Sequence, residues 1–281
     1  MVKSVIGRKA LTKTENARVP IVRALGVMLS KLFYQPLVDK EGNPISLRPF
    51  WGKLNRNLME NGYSPPWIMT RQECLYFWSS IPNSPEFSGN RPDEYAPKKI
   101  GIIKFLHEFW SPPVTREDHI LELGCGSGAN LYYLYQLGYT NPSGIEINKN
   151  FVDEMNKVFP ELASQCKVSV GSLESVLPKL ATDSVDVILT IAVAMHIHPT
   201  SNFLFEEMRR VARKYIMLIE PEVANCSYIF ARNYRRLFHK LGSPQLKSMT
   251  ITNKAFPEVS RDYDGYVARL FSTGKQRGLK Y

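Results

Sequence analysis

His119-Ile-Leu-Glu-Leu-Gly-Cys-Gly-Ser-Gly-Ala-Asn130 runs an apolar strand into three glycines at alternate positions and then into a helix. Glycine lets backbone take positive φ and come close to a ligand. The following helix turns its free N–H groups toward whatever the loop holds. Glu146 closes the next apolar run, 18 residues after Gly128. An acid at that place suits hydrogen bonding to ribose hydroxyls. Strand, glycines, helix, strand and acid thus stand in the order of a nucleotide-cofactor site.

Outward from this segment, short apolar runs alternate with amphipathic stretches. Ile120–Leu123, Ser143–Ile147, Cys166–Val170, Val185–Thr190 and Tyr215–Glu220 read as strands. Ala129–Leu137, Asn150–Val158, Leu173–Leu180 and Asn202–Val211 read as helices between them. The alternation predicts a parallel sheet with helices on both faces. A helix over Ser227–Leu241 follows, then two late strands, Leu246–Thr252 and Gly265–Phe271. Two strands with no long helix between them predict an antiparallel edge.

Gly124-x-Gly126-x-x-Ala129 also satisfies a loose dinucleotide fingerprint. Glu122, at the strand end before the loop, argues against that reading. Its carboxylate would repel a pyrophosphate and attract an ammonium group. S-adenosyl-L-methionine carries such an ammonium and no phosphate. Glu122-Leu-Gly-Cys-Gly-Ser-Gly128 resembles motif I of the class I S-adenosylmethionine-dependent methyltransferases. Gly144-Ile-Glu-Ile147 is similar to their second motif, and Asp186-Val-Ile-Leu-Thr190 to the fourth strand that leads into their active site.

The resemblance covers residues 95–272, roughly, and its motifs say almost nothing about the methyl acceptor. It implies a Rossmann-like α/β fold with a seven-stranded sheet whose last strand is antiparallel. It implies S-adenosylmethionine as cofactor, with Glu122 and the loop of Gly124, Gly126 and Gly128 holding the methionine part. By the same resemblance Glu146 binds the ribose, Ile147 packs on the adenine, and Ser172 and Leu173 border it. Ser172 is also placed to cap a helix. The segment before motif I often folds over the cofactor in this family. Tyr95 or Arg91, in Asn90-Arg-Pro-Asp-Glu-Tyr95, is thereby a candidate for the cofactor carboxylate, against a plain surface loop.

In an open parallel sheet, ligands bind beyond the carboxyl ends of the strands. Ala192-Val-Ala-Met-His-Ile-His-Pro199 leaves the fourth strand there and carries His196 and His198. Methyl transfer asks the protein to align the acceptor and, for a hydroxyl, to take its proton. Imidazole titrates in the needed range. His196 is the first candidate base or orienter, with His198 and Glu220 beside it; either histidine alone could equally cap or pack the loop. The loop resembles a His-x-His-Pro element in a subgroup of methyltransferases. Glu220 and Glu222, in Ile219-Glu-Pro-Glu222, make at most a possible cluster with the histidines, and no metal is expected.

The chain has 281 residues, 44% hydrophobic and 22% charged, which fits one core with an appended lobe rather than a disordered or fibrous protein. The expected division is an N-terminal segment and aromatic, Pro-rich lobe over residues 1–94, a possible substrate cap, and a cofactor-binding domain over residues 95–281. All four tryptophans, Trp51, Trp67, Trp78 and Trp110, lie in the first part of the chain. The rings of Phe50–Trp110 form either a small core or a stacking wall for a ring-shaped or sugar acceptor. Tyr132, Tyr133 and Tyr135 point to different helix faces and read as packing.

The formal charge is +10, and its location matters more than its size. Residues 1–40 hold eight Lys and Arg against two acids, and residues 269–281 hold four with none. The excess therefore sits at the ends. An anionic membrane surface meeting the basic amphipathic stretch Val19–Tyr34 is a possible partner. Nucleic acid is a second possibility, since basic ends suit phosphates, though no nucleic-acid motif stands in the core. Cys74, Cys125, Cys166 and Cys226 fit no Cys-x-x-Cys pattern, and no apolar run spans a bilayer. The reading is cytoplasmic, with a possible peripheral membrane contact. The expected activity is S-adenosylmethionine-dependent methylation of oxygen or nitrogen on a small-molecule, sugar or glycan-linked acceptor. The alternatives are a nucleic-acid methyltransferase and a non-catalytic module that keeps the cofactor fold.

Overall fold

The computed structural model describes residues 28, 32–47, 50–82, 92–224 and 226–275, and the side chains of 92–98 lie outside that description. Three helices precede the sheet: α1 (Trp51–Glu60), α2 (Arg71–Ser80) and α3 (Pro92–Trp110). Thr70 starts α2 with a reciprocal cap, its hydroxyl accepting the Glu73 N–H while the Glu73 carboxylate accepts the Thr70 N–H. α3 buries Ile102, Ile103, Leu106 and Trp110 against the sheet, a stripe at helical spacing. The expected boundary between residues 94 and 95 falls inside this helix.

The strands are β1 (His119–Leu123), β2 (Asn141–Glu146), β3 (Lys167–Val170), β4 (Val185–Ile191), β5 (Ala212–Glu220), β6 (Gln245–Thr250) and β7 (Val267–Ser272). Their order is β3-β2-β1-β4-β5-β7-β6, and β1 to β5 are parallel. This is the Rossmann-like seven-stranded sheet that the resemblance implies, and its parallel part is the one that the alternation predicts. All of β4 is buried, as an apolar strand covered on both faces must be. The later helices are α4 (Ala129–Gln136), α5 (Lys149–Val158), α6 (Pro160–Gln165), α7 (Leu173–Val176), α8 (Phe203–Val211) and α9 (Tyr234–Lys240). Chain direction across the sheet reverses between β1 and β4, which opens a crevice beyond their carboxyl ends.

The late elements differ from the expectation in detail. β7, the last strand, is antiparallel to both neighbours as the resemblance implies, and it slots between β5 and β6, which leaves β6 at the edge. The helix expected over Leu173–Leu180 is a single turn followed by a 3-10 turn at Leu177–Lys179, because Pro178 has no N–H to continue the ladder. The helix expected from Ser227 begins only at Tyr234, where the Asn233 side chain accepts the Arg236 N–H at 2.8 Å. The residues just before it form a strap under the N-terminal lobe. There Met59, Ile68 and Cys74 pack on Ala224, Phe230 and Ala231 as a small core of their own.

The aromatic residues divide between the two roles foreseen for them. Trp67 stacks on Phe33 at 3.9 Å inside the lobe, and Trp110 is fully buried in the main core. Phe77 and Trp78 line a cavity. Tyr132 stacks on Phe159 at 4.3 Å, as packing. At the chain's basic end, Arg269 donates to Glu222 and Gln245, and Lys275 donates to Asp183 and to three carbonyls, so these two cations serve the fold. Most of Val19–Tyr34 and the last six residues lie outside the described residues.

Candidate active site

A cavity of about 490 Å³ fills the crevice beyond β1 and β4, a size suited to a small-molecule ligand. Its floor is the glycine loop with Glu146 and Ile147 at the end of β2. Its roof is α2, through Cys74, Phe77 and Trp78, and the loop after β4 closes it with Val193, Met195, His196 and His198.

Gly124, Gly126 and Gly128 all have positive φ, at 67°, 56° and 77°. A Cβ on Gly128 would stand 2.4 Å from the Met155 sulfur, whereas one on Gly126 would meet no atom within 4 Å. Gly128 is therefore a packing requirement, and Gly126 keeps the loop bare where it borders the cavity. Gly124 and Gly126 line that cavity; Gly128 stands behind it as the N-cap of α4.

Glu146 is almost fully buried and accepts the Gly126 N–H and the Asn148 N–H, both at 2.8 Å. Burial raises its pKa, and these N–H groups pull it back. Glu122 lies one side chain behind the wall. It accepts from the Asn130 amide at 2.6 Å, and Asn130 lines the cavity. Burial pushes Glu122 up to about 7, against the amide hydrogen bond and the charge of Lys99. Lys99 is a buried cavity-lining cation on α3 that donates to the Tyr263 hydroxyl. The sequence reading passed over it; its signal was its place on the helix just before motif I.

The residues present fit the expected cofactor. Glu122 Oε2, Ser127 Oγ and Asn130 Oδ1 are buried without a hydrogen-bond partner. Buried polar atoms are rarely left so, and three around one glycine loop suit a polar ligand. Ser172 caps α7 by accepting the Ser175 N–H at 3.2 Å, as foreseen, and it also lines the cavity with Leu173. Tyr95 falls on α3, not on a loop, and its side chain and Arg91 lie outside the described residues.

The two histidines part company. His198 accepts the Thr200 N–H on Nδ1, which caps a 3-10 turn, and its Nε2 meets Ser64 Oγ at 3.3 Å. It is buried and holds the loop to the lobe. His196 donates from Nδ1 to the Tyr228 carbonyl at 2.8 Å. That fixes the tautomer and leaves Nε2 as an acceptor, with no partner among the described residues. Trp78 lies 4.3 Å from the ring and Tyr228 5.7 Å. Burial lowers the His196 pKa to about 4, so the ring is neutral at physiological pH.

Glu220 is not on the cavity surface. Its carboxylate is fully buried and accepts from the Thr190 hydroxyl and from the Val193, Ala194 and Met195 N–H groups. The expectation of a catalytic Glu220 gives way to a brace: all the donors belong to the end of β4 and the loop that carries His196. Burial pushes it up to about 7 while the four donors pull it down. Ala192, between brace and strand, has φ 60° without being glycine. Such a conformation costs on the order of 1–3 kcal/mol and concentrates at functional sites. Glu222 pairs instead with Arg269 at 2.8 Å. No group of three metal-ligating side chains occurs among the described residues.

Asn148 escaped the sequence reading. Its side chain caps α5 and donates to the carbonyls of Trp78 and Ile81, at 3.3 and 2.9 Å, at the end of the roof helix. One residue thus joins the Glu146 carboxylate to the roof of the cavity.

Residues 121–218 match a family described as a methyltransferase domain. No curated protein matches the chain. Among solved structures, a chain of the Haloferax volcanii complex of the Trm112 methyltransferase activator with its methyltransferase aligns at 15% identity. It has a TM-score of 0.51 and covers 69% of this chain and 96% of its own. Magnesium protoporphyrin IX methyltransferase from Synechocystis aligns at 12% identity and TM-score 0.46, over 78% of this chain and 94% of its own. An S-adenosylmethionine-dependent methyltransferase from Aquifex aeolicus aligns at 16% and 0.46, over 63% and 92%. These likenesses concern the fold.

Proposed function

We propose that this chain, an S-adenosylmethionine-dependent methyltransferase, methylates oxygen or nitrogen of a small-molecule acceptor held between α2 and the loop after β4, with His196 orienting the acceptor. The observation that carries the proposal is the state of His196. Its Nδ1–H is spent on the Tyr228 carbonyl, its ring packs beside those of Trp78 and Tyr228, and it lines the cavity with Nε2 as a neutral acceptor.

S-adenosylmethionine supplies, when bound, a methyl group activated on sulfur. Glu146 would take the ribose hydroxyls, Ile147 and Leu173 would pack on the adenine, and Ser172 would border it. Asn130, Ser127 and the carboxylate behind them would receive the ammonium end, and Lys99 suits its carboxylate. His196 Nε2 accepts a hydrogen bond from the acceptor's O–H or N–H, aligns its lone pair and draws its proton. Glu220 does not touch the acceptor; it holds the backbone that aims His196. Phe77, Trp78 and Tyr228 give the acceptor a wall of rings, which favours flat or sugar-like faces over charged ones. The His196-Ile-His198-Pro199 element divides the work between one open histidine and one capping histidine. The four unbonded cysteines suit a reducing, cytoplasmic setting.

The test is an acceptor screen read by S-adenosylhomocysteine release, run on wild type and His196→Ala. The variant is expected to keep cofactor affinity and lose about 100-fold in turnover. Unchanged turnover would remove His196 from the chemistry. Absence of cofactor binding by the wild type would sink the whole reading.

A further inference from the structure

The outer surface of the N-terminal lobe carries large apolar side chains that the cavity and the cores do not use. Phe50 and Met28 are about two-thirds exposed, and Leu32, Trp51 and Leu54 are exposed as well. Four of them, Leu32, Phe50, Trp51 and Leu54, lie near one another. Trp51 meets Phe50 at 4.8 Å and Phe33 at 5.3 Å, edge to face, and Phe33 follows Leu32 in the chain. Leu54 stands three residues after Trp51, on the same face of α1. A monomeric soluble protein seldom shows several aromatic and aliphatic side chains on one surface without use for them.

Within α1 the one exposed charge is positive. Lys53 is exposed on α1. The acid at the far end of α1, Glu60, is engaged by Arg56 at 4.0 Å and by Arg236. Arg236 belongs to α9, which also exposes Arg235, His239 and Lys240. The segment leading into the patch, residues 1–40, carries a net charge of +6.

We infer that this face docks on an anionic lipid surface, with Phe50, Trp51, Leu54 and Leu32 entering the headgroup boundary and Lys53 meeting lipid phosphates. Aromatic and aliphatic side chains framed by Lys and Arg are what interfacial binding needs. The aliphatic members decide between anionic partners. Nucleic acid rewards rings that stack on bases and gains nothing from Leu32 and Leu54, whereas acyl chains accept all four. The surface lies on the lobe that roofs the cavity, so a docked enzyme holds its roof against the membrane.

The experiment is flotation of the full chain with vesicles of phosphatidylcholine and phosphatidylserine at about 4:1, against phosphatidylcholine alone, at two salt concentrations. The chain is expected to float with the anionic vesicles and to be released by salt. Phe50→Ala/Trp51→Ala is expected to lower the bound fraction at least about tenfold. Leu54→Glu, at an exposed position, gives a second variant should the double one misfold; a melting curve and cofactor calorimetry monitor the fold apart from lipid. No flotation, or flotation unchanged in both variants, overturns the inference. So does a concentration-dependent dimer that the same substitutions abolish, or an RNA oligonucleotide bound through the same residues in place of vesicles.

Discussion

The Glu146 carboxylate, at the end of β2, holds the Gly126 N–H of the glycine loop at 2.8 Å across the sheet. The acid expected to receive the ribose also sets the shape of the loop beside it. Glu146→Ala should therefore remove two functions together and abolish cofactor binding in calorimetry. Glu146→Gln turns an N–H donor toward backbone N–H groups and should weaken affinity at least about tenfold. Wild-type affinity in the alanine variant would refute the ribose assignment.

Two glycines of the loop should separate under substitution. In Gly128→Ala the added carbon collides with Met155 in a packed core, and unfolding should come several degrees lower by calorimetry. Gly126→Ala meets no neighbour and has only its left-handed backbone to strain, on the order of 1 kcal/mol. It should fold and lose cofactor affinity. Equal losses of stability would contradict this division.

Removal of the Glu220 brace leaves three backbone N–H groups of the His196 loop without an acceptor. Glu220→Ala should cost about 3 kcal/mol or more in denaturant titration. If Glu220 works only through His196, Glu220→Gln should lower turnover while leaving cofactor affinity near wild type. A variant that keeps full turnover would show the loop needs no brace.

Asn148→Ala breaks the tie to the carbonyls of Trp78 and Ile81 and removes the cap of α5. The roof helix loses its fastening, so the acceptor KM should rise more than kcat falls. A change in kcat alone would argue against a positioning role.

The titrating groups predict opposite trends with pH. His196 has a native pKa near 4 against 6.5 unfolded, so the unfolded chain binds the extra proton between those values. Its contribution to stability is complete above about 6.5 and is lost as pH falls toward 4. Glu122 has a native pKa near 7 against 4.5, and its contribution is lost as pH rises through 7. Denaturant midpoints at pH 5 and 8 should show His196→Gln easing the acid loss and Glu122→Gln easing the alkaline one. Turnover should stay level down to about pH 5, because His196 is already unprotonated there; an acid limb at 6.5 would mean an open, solvated ring.

The parallel sheet and its glycine loop were legible because their signals are local. An apolar run, three glycines and an acid each state their role within a few residues. The acceptor side was less legible, because its roles are settled between distant segments. Nothing near His196 in sequence announces the Tyr228 carbonyl, and nothing near His198 announces Ser64. Glu220 looked catalytic because an acid at a strand end points to the crevice; it was the turn of the preceding loop, set by Ala192, that folded three N–H groups over it. Asn148 and Lys99 were missed for the same reason: one acts through the roof helix, the other through the distant Tyr263 hydroxyl and the cavity that both halves of the chain enclose.

The small core of the lobe joins Met59, Ile68 and Cys74 to Ala224, Phe230 and Ala231. A ribosome makes the second half of that core about 150 residues after the first, roughly 8 to 30 s later at ordinary rates of synthesis. Throughout that interval the lobe that carries α2 lacks the strap it packs on, and Met59, Ile68 and Cys74 have no cover from that side. The five parallel strands precede the strap in the chain and β6 and β7 follow it, so of the segments that line the cavity the strap with Tyr228 is made last.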